Sequence, residues 1–306
     1  MAKFLGTRVA YSLAALLGLV LVVFFVSHLG GNPARLFVAE GASQEQIDIK
    51  SAQLGFDKPL FQQFTTFLAD AVRGDFGQSW RNATQSATSI ILDAFPITLA
   101  IVAVAIAIAL LCGVTLGSWA ALKPFGPVDK VVSFLSLLFT SLPDFWIALM
   151  AILCFSVTLD VLPTSGLAGP KSWVLPIMTI ALGVTGSMTQ VARGSMVEAL
   201  GSGFVQNARA RGYSTPRLVF QHALKNALLP IISVLGDRFA HMFNGTVIIC
   251  LIFAWPGIGG EMLTAIKSRD FAVLQAGVFY VGIAVILVNI ITDVVYALVD
   301  PRIRLS

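Results

Sequence analysis

The chain alternates between long apolar runs and shorter polar segments. Six of the runs are long enough for a helix to cross the hydrocarbon core of a bilayer, which takes about 20 residues. In chain order they are Val9–His28, Ile97–Trp119, Val131–Leu159, Trp173–Met196, Ala227–Phe253 and Leu274–Val299. The pattern therefore predicts an all-α, polytopic membrane protein with six transmembrane helices.

The polar residues between these runs predict the topology. Short loops rich in Lys and Arg stay in the cytoplasm. Such residues lie before the first run (Lys3, Arg8), between the second and third (Lys123, Lys130), between the fourth and fifth, and after the sixth. In residues 30–95, seven acidic residues outnumber five basic ones. We therefore expect both termini to be cytoplasmic and this segment to be external.

Composition agrees with a membrane protein. Hydrophobic residues make up 57% of the 306 residues and charged residues 12%, and the mean hydropathy is +0.85. A soluble domain carries about 25% charged residues. The net charge of +4 reflects basic loops rather than a nucleic-acid surface. The first run is too long for the apolar part of a signal peptide and no small-residue cleavage site follows it, so we expect a retained anchor.

The external segment predicts two helices. Ser43 and Gln46 have the spacing of a capping box, and Gly55 can end the helix that they begin. Pro59 suits the first position of a second helix. The apolar residues that follow at helical spacing are Leu60, Phe64, Phe67, Leu68 and Ala71. Their phenylalanines would rest on the membrane surface or on neighbouring spans, before a turn at residues 74–77.

The stretch Met196–Pro230 is polar and carries several arginines, although it lies between two membrane runs. It predicts an amphipathic helix that ends at Gly212 and a second helix that begins at Ser214-Thr215-Pro216. The apolar stripe of the first helix consists of Phe204, Val205 and Ala208. Such a rigid helix pair indicates a docking element for a soluble partner. An amphipathic helix resting on anionic lipid is the alternative.

The sequence predicts neither a catalytic site nor a metal or cofactor site. It has no Gly-Lys dipeptide and hence no Walker A loop. The histidines His28, His222 and His241 lie in different regions, and the three cysteines lie singly within apolar runs. Gly113 and Gly117 form a GxxxG pattern, which is typical of close helix packing and, less often, of a dimer face.

Several motifs together resemble one family. Asn207–Gly212 (NARARG) and His222–Pro230 (HALKNALLP) are similar to the cytoplasmic loop of binding-protein-dependent ABC import permeases, above all the dipeptide and oligopeptide branch. Further similar motifs follow the same order along the chain: Gly74–Ser79, Pro163–Gly166, Phe253–Gly259 and Asp300–Arg304. The resemblance therefore covers the whole chain. It divides the chain into an N-terminal transmembrane helix (1–29), an external segment (30–95), a transmembrane domain (96–299) and a cytoplasmic tail (300–306).

The resemblance implies a six-span permease subunit of the bacterial inner membrane that works by alternating access. It would pair with a second permease and with two ATP-binding subunits that use ATP and Mg, and an external solute-binding protein would deliver the solute. Peptides or similar small solutes are the expected cargo, with nickel, opines or glycosides as alternatives. The residues implied in coupling to the ATPases are Phe204, Asn207, Ala208, Arg209, Arg211, Gly212 and Pro216. A channel or a secondary transporter would leave this loop unexplained. A membrane enzyme would need a cluster of ionisable residues near one face, which the sequence does not show.

Three departures from the family pattern bear on the cargo. Gln206-Asn207-Ala208 stands where Glu-Ala-Ala is common, Asn32 replaces a frequent aspartate, and Asp144 replaces a frequent serine. These changes leave the class intact. They make the identity of the solute the least determined part of the prediction.

The fifth run contains ionisable residues, which are costly at membrane depth and mark a partner, a cavity or a solute path. Asp237 and His241 are four residues apart and share a helix face, whereas Arg238 points about 100° away. One hypothesis is that Asp237 and His241, together with Asp144, line the substrate path and contact a polar or cationic solute such as a peptide amino terminus. The other is a structural ion pair, with Asp237 or Arg238 bound to the partner permease.

Overall fold

The computed structural model describes residues 2–28, 33–38, 41–82 and 84–299. Within them the chain is helical, and β pairing is limited to an isolated antiparallel bridge between Gln78 and Ser86. Asn32 and the motif Asp300–Arg304 lie outside the described residues. The described chain forms two compact units, one from residues within 1–96 and 256–286, the other from residues within 97–255 and 287–299.

The all-α prediction is confirmed. The α-helices in chain order are α1 (Ala2–His28), α2 (Gln44–Leu54), α3 (Leu60–Val72), α4 (Ala87–Ala121), α5 (Pro127–Ser141), α6 (Asp144–Ala151), α7 (Val174–Gly201), α8 (Gly203–Ala210), α9 (Thr215–Arg217), α10 (Leu224–Ile252), α11 (Ile258–Ser268) and α12 (Phe271–Val299). Short 3₁₀ turns cover Pro33–Phe37 and Pro170–Trp173, and π-helical turns cover Ile152–Thr158 and Leu218–Ala223.

In the first unit, the predicted capping of α2 is confirmed. The Ser43 hydroxyl accepts from the Gln46 backbone N–H, and the Gln46 side chain accepts from the Ser43 backbone N–H at 3.1 Å. Gly55 ends the helix with a φ of 75°, a left-handed conformation that glycine adopts without steric cost. Pro59 immediately precedes α3 rather than occupying its first position. Local sequence signals thus predict both ends of α2, and they predict the start of α3 to within one residue.

The phenylalanines of α3 pack on a neighbouring span. The rings of Phe64 and Phe67 each lie 5.3 Å from the ring of Phe24 in α1, centroid to centroid. Next to them the His28 Nε2 atom lies 3.0 Å from the side-chain Oε1 atom of Gln63. Of the two locations predicted for this face, contact with neighbouring spans is therefore the observed one, and it fixes α3 against the end of α1.

The third apolar run is not one straight helix. α5 and the segment Asp144–Thr158 are bent by 102° at Leu142-Pro143. Pro143 has no N–H to continue the helix and its ring disfavours helical backbone at the preceding residue, and Leu142 is accordingly extended with a ψ of 133°. The predicted span Val131–Leu159 is therefore broken rather than straight, because a hydropathy pattern does not register one proline.

Five helical stretches of the described chain are long and apolar enough to cross a membrane: Ala10–His28, Ala87–Ala121, Pro170–Gly201, Thr215–Ile252 and Phe271–Val295. The bent pair Pro127–Ser141 and Asp144–Thr158 passes the same test when taken together, which gives up to six. The stretches Pro170–Gly201 and Thr215–Ile252 are longer than the predicted Trp173–Met196 and Ala227–Phe253, because their helices extend into the polar segment between them.

Close packing through the GxxxG glycines is confirmed. A methyl group added at Gly113 would lie 2.7 Å from the Met188 Cβ atom, and one added at Gly117 would lie 2.6 Å from the Thr189 carbonyl oxygen. Both partners belong to α7. The glycines therefore allow α4 to approach the backbone of α7 more closely than any other residue would permit.

Candidate coupling segment and intramembrane cavity

The polar segment between α7 and α10, residues 202–223, begins with the predicted short helix. α8 ends at Ala210, and Gly212 follows with a φ of 82°. The Gly212 N–H donates to the Arg209 carbonyl at 2.9 Å, and the Tyr213 N–H donates to the Ala208 carbonyl at 3.3 Å. Gly212 is therefore the left-handed residue that ends the helix, as the sequence predicts.

The second helix of the polar segment begins where predicted but does not end. Ser214 is extended with a ψ of 151°, and α9 starts at Thr215 with Pro216 in its first turn. The π-helical turn Leu218–Ala223 then joins α9 to α10, so that one helix runs from Thr215 to Ile252. The expectation of a separate helix was wrong, because the polar residues near His222 occupy exposed positions of a continuous helix.

A buried apolar cluster lies beneath the polar segment. It draws Val205 and Ala208 from α8, and further residues from the ends of α4, α7 and α10. The other members are Ala121, Met196, Ala199, Leu218, Val219, Ala223 and Ala227. Val205 has no exposed surface. Because α8 is anchored on the ends of three long helices, a displacement of α8 must move those helices with it.

The opposite side of α8 is exposed. Phe204 keeps 45% of its surface although the apolar stripe includes it, and Asn207, Arg209 and Arg211 are also exposed. Near them, the Arg217 guanidinium carbon lies 5.0 Å from the centre of the Tyr213 ring. The segment thus presents a phenylalanine and several arginines above a buried base, which suits contact with a protein surface.

One feature of this region was missed by sequence reasoning. The buried carboxylate of Asp129, in the first turn of α5, accepts two hydrogen bonds from the Arg193 guanidinium in α7. It also accepts from the Phe125 backbone N–H at 2.7 Å. Arg193 is the sole lysine or arginine in the run Trp173–Met196, a signal that could have indicated a partner.

A second polar site lies within the spans of the second unit. The end of α5, the bend and the first residue of α6 form one wall of a cavity of about 390 Å³, and α7 and α10 form the others. Asp144, Arg238 and His241 line it together with apolar and small polar residues. Ends of α7 and α10 lie side by side, since the rings of Trp173 and Trp255 are 4.7 Å apart.

The cavity brings together two of the three predicted pathway residues. Asp144 and His241 both line it and interact electrostatically. Asp237 is exposed and is not among the lining residues. Arg238, which the helix geometry was expected to turn away, contributes in its place. His241 lies angularly between positions 237 and 238, so the helical wheel alone allowed either neighbour to accompany it.

Comparison with known proteins places the chain in a family. Residues 113–305 match the family described as "Binding-protein-dependent transport system inner membrane component", and residues 1–102 match the N-terminal family of the same systems. The chain belongs to the binding-protein-dependent transport permeases. This permease is therefore a multi-pass membrane subunit of an ABC importer, a membrane component rather than the catalytic subunit that hydrolyses ATP.

Two relatives match the permease along nearly its whole length. It is 33% identical over 307 residues to the oligopeptide transport system permease protein OppB of Haemophilus influenzae, covering 99% of this chain and 100% of that one. It is also 33% identical over 285 residues to the glutathione transport system permease protein GsiC of Escherichia coli strain K12, covering 93% of each.

Solved structures confirm the fold. An amino acid ABC transporter crystallised with histidines has a TM-score of 0.51 at 16% identity, covering 70% of this chain and 94% of that chain. The MetNI methionine ABC transporter in an inward-facing conformation has a TM-score of 0.58 at 15% identity, covering 69% and 96%. At these identities the likeness concerns the arrangement of helices alone.

Proposed function

We propose that this permease carries peptides or similar small solutes across the bacterial inner membrane by alternating access. It forms one half of the path, a second permease forms the other, and two ATP-binding subunits using ATP and Mg drive the change of state. An external binding protein delivers the solute. The oligopeptide and glutathione systems named for its relatives favour peptides over nickel, opines or glycosides.

The polar segment of residues 202–223 carries the proposal that this chain couples to ATPases. Its first helix is fixed from below by Val205 and Ala208, which are buried, and it ends at a defined left-handed residue. A partner that pushes on exposed Phe204 and on the neighbouring arginines moves a rigid body rather than a flexible loop. A channel or a secondary transporter has no use for such a contact.

Co-purification tests this function. A tagged permease extracted from native membranes in mild detergent should bring down two ATP-hydrolysing subunits for each pair of permeases. Phe204→Asp should reduce the ATPase recovered, because a carboxylate replaces an apolar contact at the centre of the exposed face. Phe61→Asp is the matched control, since Phe61 is a 79% exposed phenylalanine of the predicted external helix α3.

The outcomes separate the proposal from its rivals. Recovery of wild-type permease without ATPases would overturn the coupling assignment and favour a channel or secondary transporter. Equal ATPase recovery with Phe204→Asp and Phe61→Asp would show that the exposed face of α8 is not the contact. Uptake of labelled di- and tripeptides by the reconstituted importer, compared with uptake of nickel and of glycosides, tests the cargo separately.

A further inference from the structure

The cavity around Asp144 lies near the middle of the spans. Gly183 is 9 residues after the start of α7, and Arg238 is 14 residues before the end of α10. These separations correspond to about 14 and 21 Å of helix, measured from ends that lie side by side at Trp173 and Trp255. The hydrocarbon core is about 30 Å thick. Both residues therefore lie well inside helices that are long enough to cross this core.

The backbone at this depth is interrupted. Leu142 and Pro143 are extended between α5 and α6, and non-helical backbone inside a membrane is tolerated only where it is buried in protein or lines a cavity. In many transporters the solute binds near the midplane at such a discontinuous helix. The bend therefore has the location and form of a binding site for a transported solute.

The charges in the cavity call for a partner that the described chain does not supply. The Arg238 Nε–H group is buried and has no hydrogen-bond acceptor among the described residues. A buried donor left unsatisfied is unfavourable. An arginine fork suits a carboxylate, to which it donates two parallel hydrogen bonds. Arg238 is thus suited to bind an anionic, planar group.

Asp144 gives the cavity an opposite charge. Methyl groups added at Gly183 and Gly245 would each lie 3.3 Å from one of its carboxylate oxygens, so the glycines on these two helices give the carboxylate room. With a volume of about 390 Å³, the cavity falls within the size range of small-molecule sites, about 300–1,000 Å³. It therefore has room for a solute that carries both charges.

We propose that this cavity binds the charged ends of a zwitterionic peptide during transport. Arg238 takes the carboxylate of the peptide, and Asp144 takes its ammonium group, with His241 beside them. This assignment rests on the proposed function, because it names the contacts of the transported peptide. It keeps Asp144 and His241 from the sequence-based hypothesis, puts Arg238 in the place of Asp237, and adds recognition of the carboxylate end.

Ligand binding to the complete importer tests this assignment. The importer is placed in lipid nanodiscs without its binding protein, and affinities are measured by saturation-transfer NMR for trialanine, trialanine amide and N-acetyl-trialanine. The wild type should bind trialanine about 10-fold more tightly than either analogue, because each analogue leaves one charged group of the cavity unpaired. Arg238→Gln should abolish only the preference for trialanine over the amide. Asp144→Asn should abolish only the preference for trialanine over the acetylated peptide.

Controls make each result decisive. Asp237→Asn changes an exposed carboxylate on the same helix and should leave both preferences intact, and Arg238→Lys should retain part of the preference for the free acid. A wild type without either preference, or an Arg238→Gln importer that keeps its 10-fold preference over the amide, would overturn the assignment. The proposed function fails separately, if the wild-type importer with its binding protein does not take up peptides.

Discussion

Arg193 and Asp129 form a two-point ion pair between α7 and α5, with the Nη2 atom of the arginine 2.7 Å from the Oδ2 atom of the aspartate. The same carboxylate binds the backbone N–H of Phe125, and the Ser133 hydroxyl donates to its other oxygen at 3.2 Å. One buried group therefore joins the loop before α5 to α7, three residues before Met196 of the cluster beneath the polar segment.

Removal of one partner of this pair should destabilise the permease strongly. Asp129→Ala leaves the Arg193 charge unpaired and the Phe125 N–H without its acceptor, and breaking a buried ion pair costs about 3–5 kcal/mol. Arg193 is partly exposed, with 27% of its side chain accessible, so we expect a loss nearer the lower end. The midpoint of thermal unfolding in detergent, measured on the purified importer, should fall.

A double-mutant cycle separates the pair from other effects. If the two residues act through each other, Asp129→Ala with Arg193→Ala should cost clearly less than the sum of the single substitutions. Arg193→Lys should recover only part of the loss, because lysine cannot make the two parallel hydrogen bonds. Additive single effects would contradict the finding that the pair acts as a unit.

Gly212 should tolerate only residues that adopt left-handed backbone. At a φ of 82°, valine costs on the order of 1–2 kcal/mol, whereas asparagine visits this region more readily. A methyl group at Gly212 would meet nothing within 4 Å, so the penalty comes from the backbone alone. Gly212→Val should lower solute uptake and ATPase coupling in reconstituted importer while membrane insertion stays normal.

Two companions define this test. Gly212→Asn should retain most of the uptake. Gly203→Val places the same side chain at the start of α8, where there is open space and no positive φ. Wild-type uptake with Gly212→Val would remove the coupling role proposed for the break, and equal losses in the valine variants at 203 and 212 would show a general effect of bulk.

The predicted topology can be tested by fusion. A reporter that is active only outside the cytoplasm should work after Gly77 or Gly166 and fail after Gly212 or Ser306, because basic loops stay inside. Alkaline phosphatase activity normalised to the amount of fusion protein is the measurement. Activity after Gly212 would place the polar segment outside and remove its contact with ATPases.

Local signals predicted local structure well. Ser43, Gly55 and Gly212 each act through their own backbone or that of the next few residues, so their roles are visible in the sequence. Pro143 has the same local character, but the long apolar run around it concealed the bend. Hydropathy indicated the long apolar helices because the membrane imposes a length on every helix that crosses it, whereas the bent pair at Pro143 decides between five and six spans.

The non-local contacts could not be predicted. Asp129 and Arg193 are 64 positions apart, and no periodicity connects two residues on different helices. On the helical wheel of α10, His241 lies between Asp237 and Arg238, so either residue could share its cavity. Only the rotation of α10 against α7 determines that Arg238 lines the cavity. The charges at membrane depth drew attention to this region of the sequence, whereas which of them line one cavity depends on how three helices pack.

The contact between α4 and α7 provides the sharpest test of that packing. A side chain at Gly117 would meet the Thr189 carbonyl oxygen at 2.6 Å and the Ala192 Cβ atom at 2.8 Å, neither of which can rotate away. Gly117→Leu should therefore force α4 and α7 apart, at a cost of about 1–3 kcal/mol or more, and lower the unfolding midpoint of the purified importer. Gly194→Leu is the matched control on α7, since no atom lies within 4 Å of a methyl group at Gly194 and leucine favours helix over glycine. If the two leucine variants unfold at the same temperature, the glycine contact does not hold these helices together.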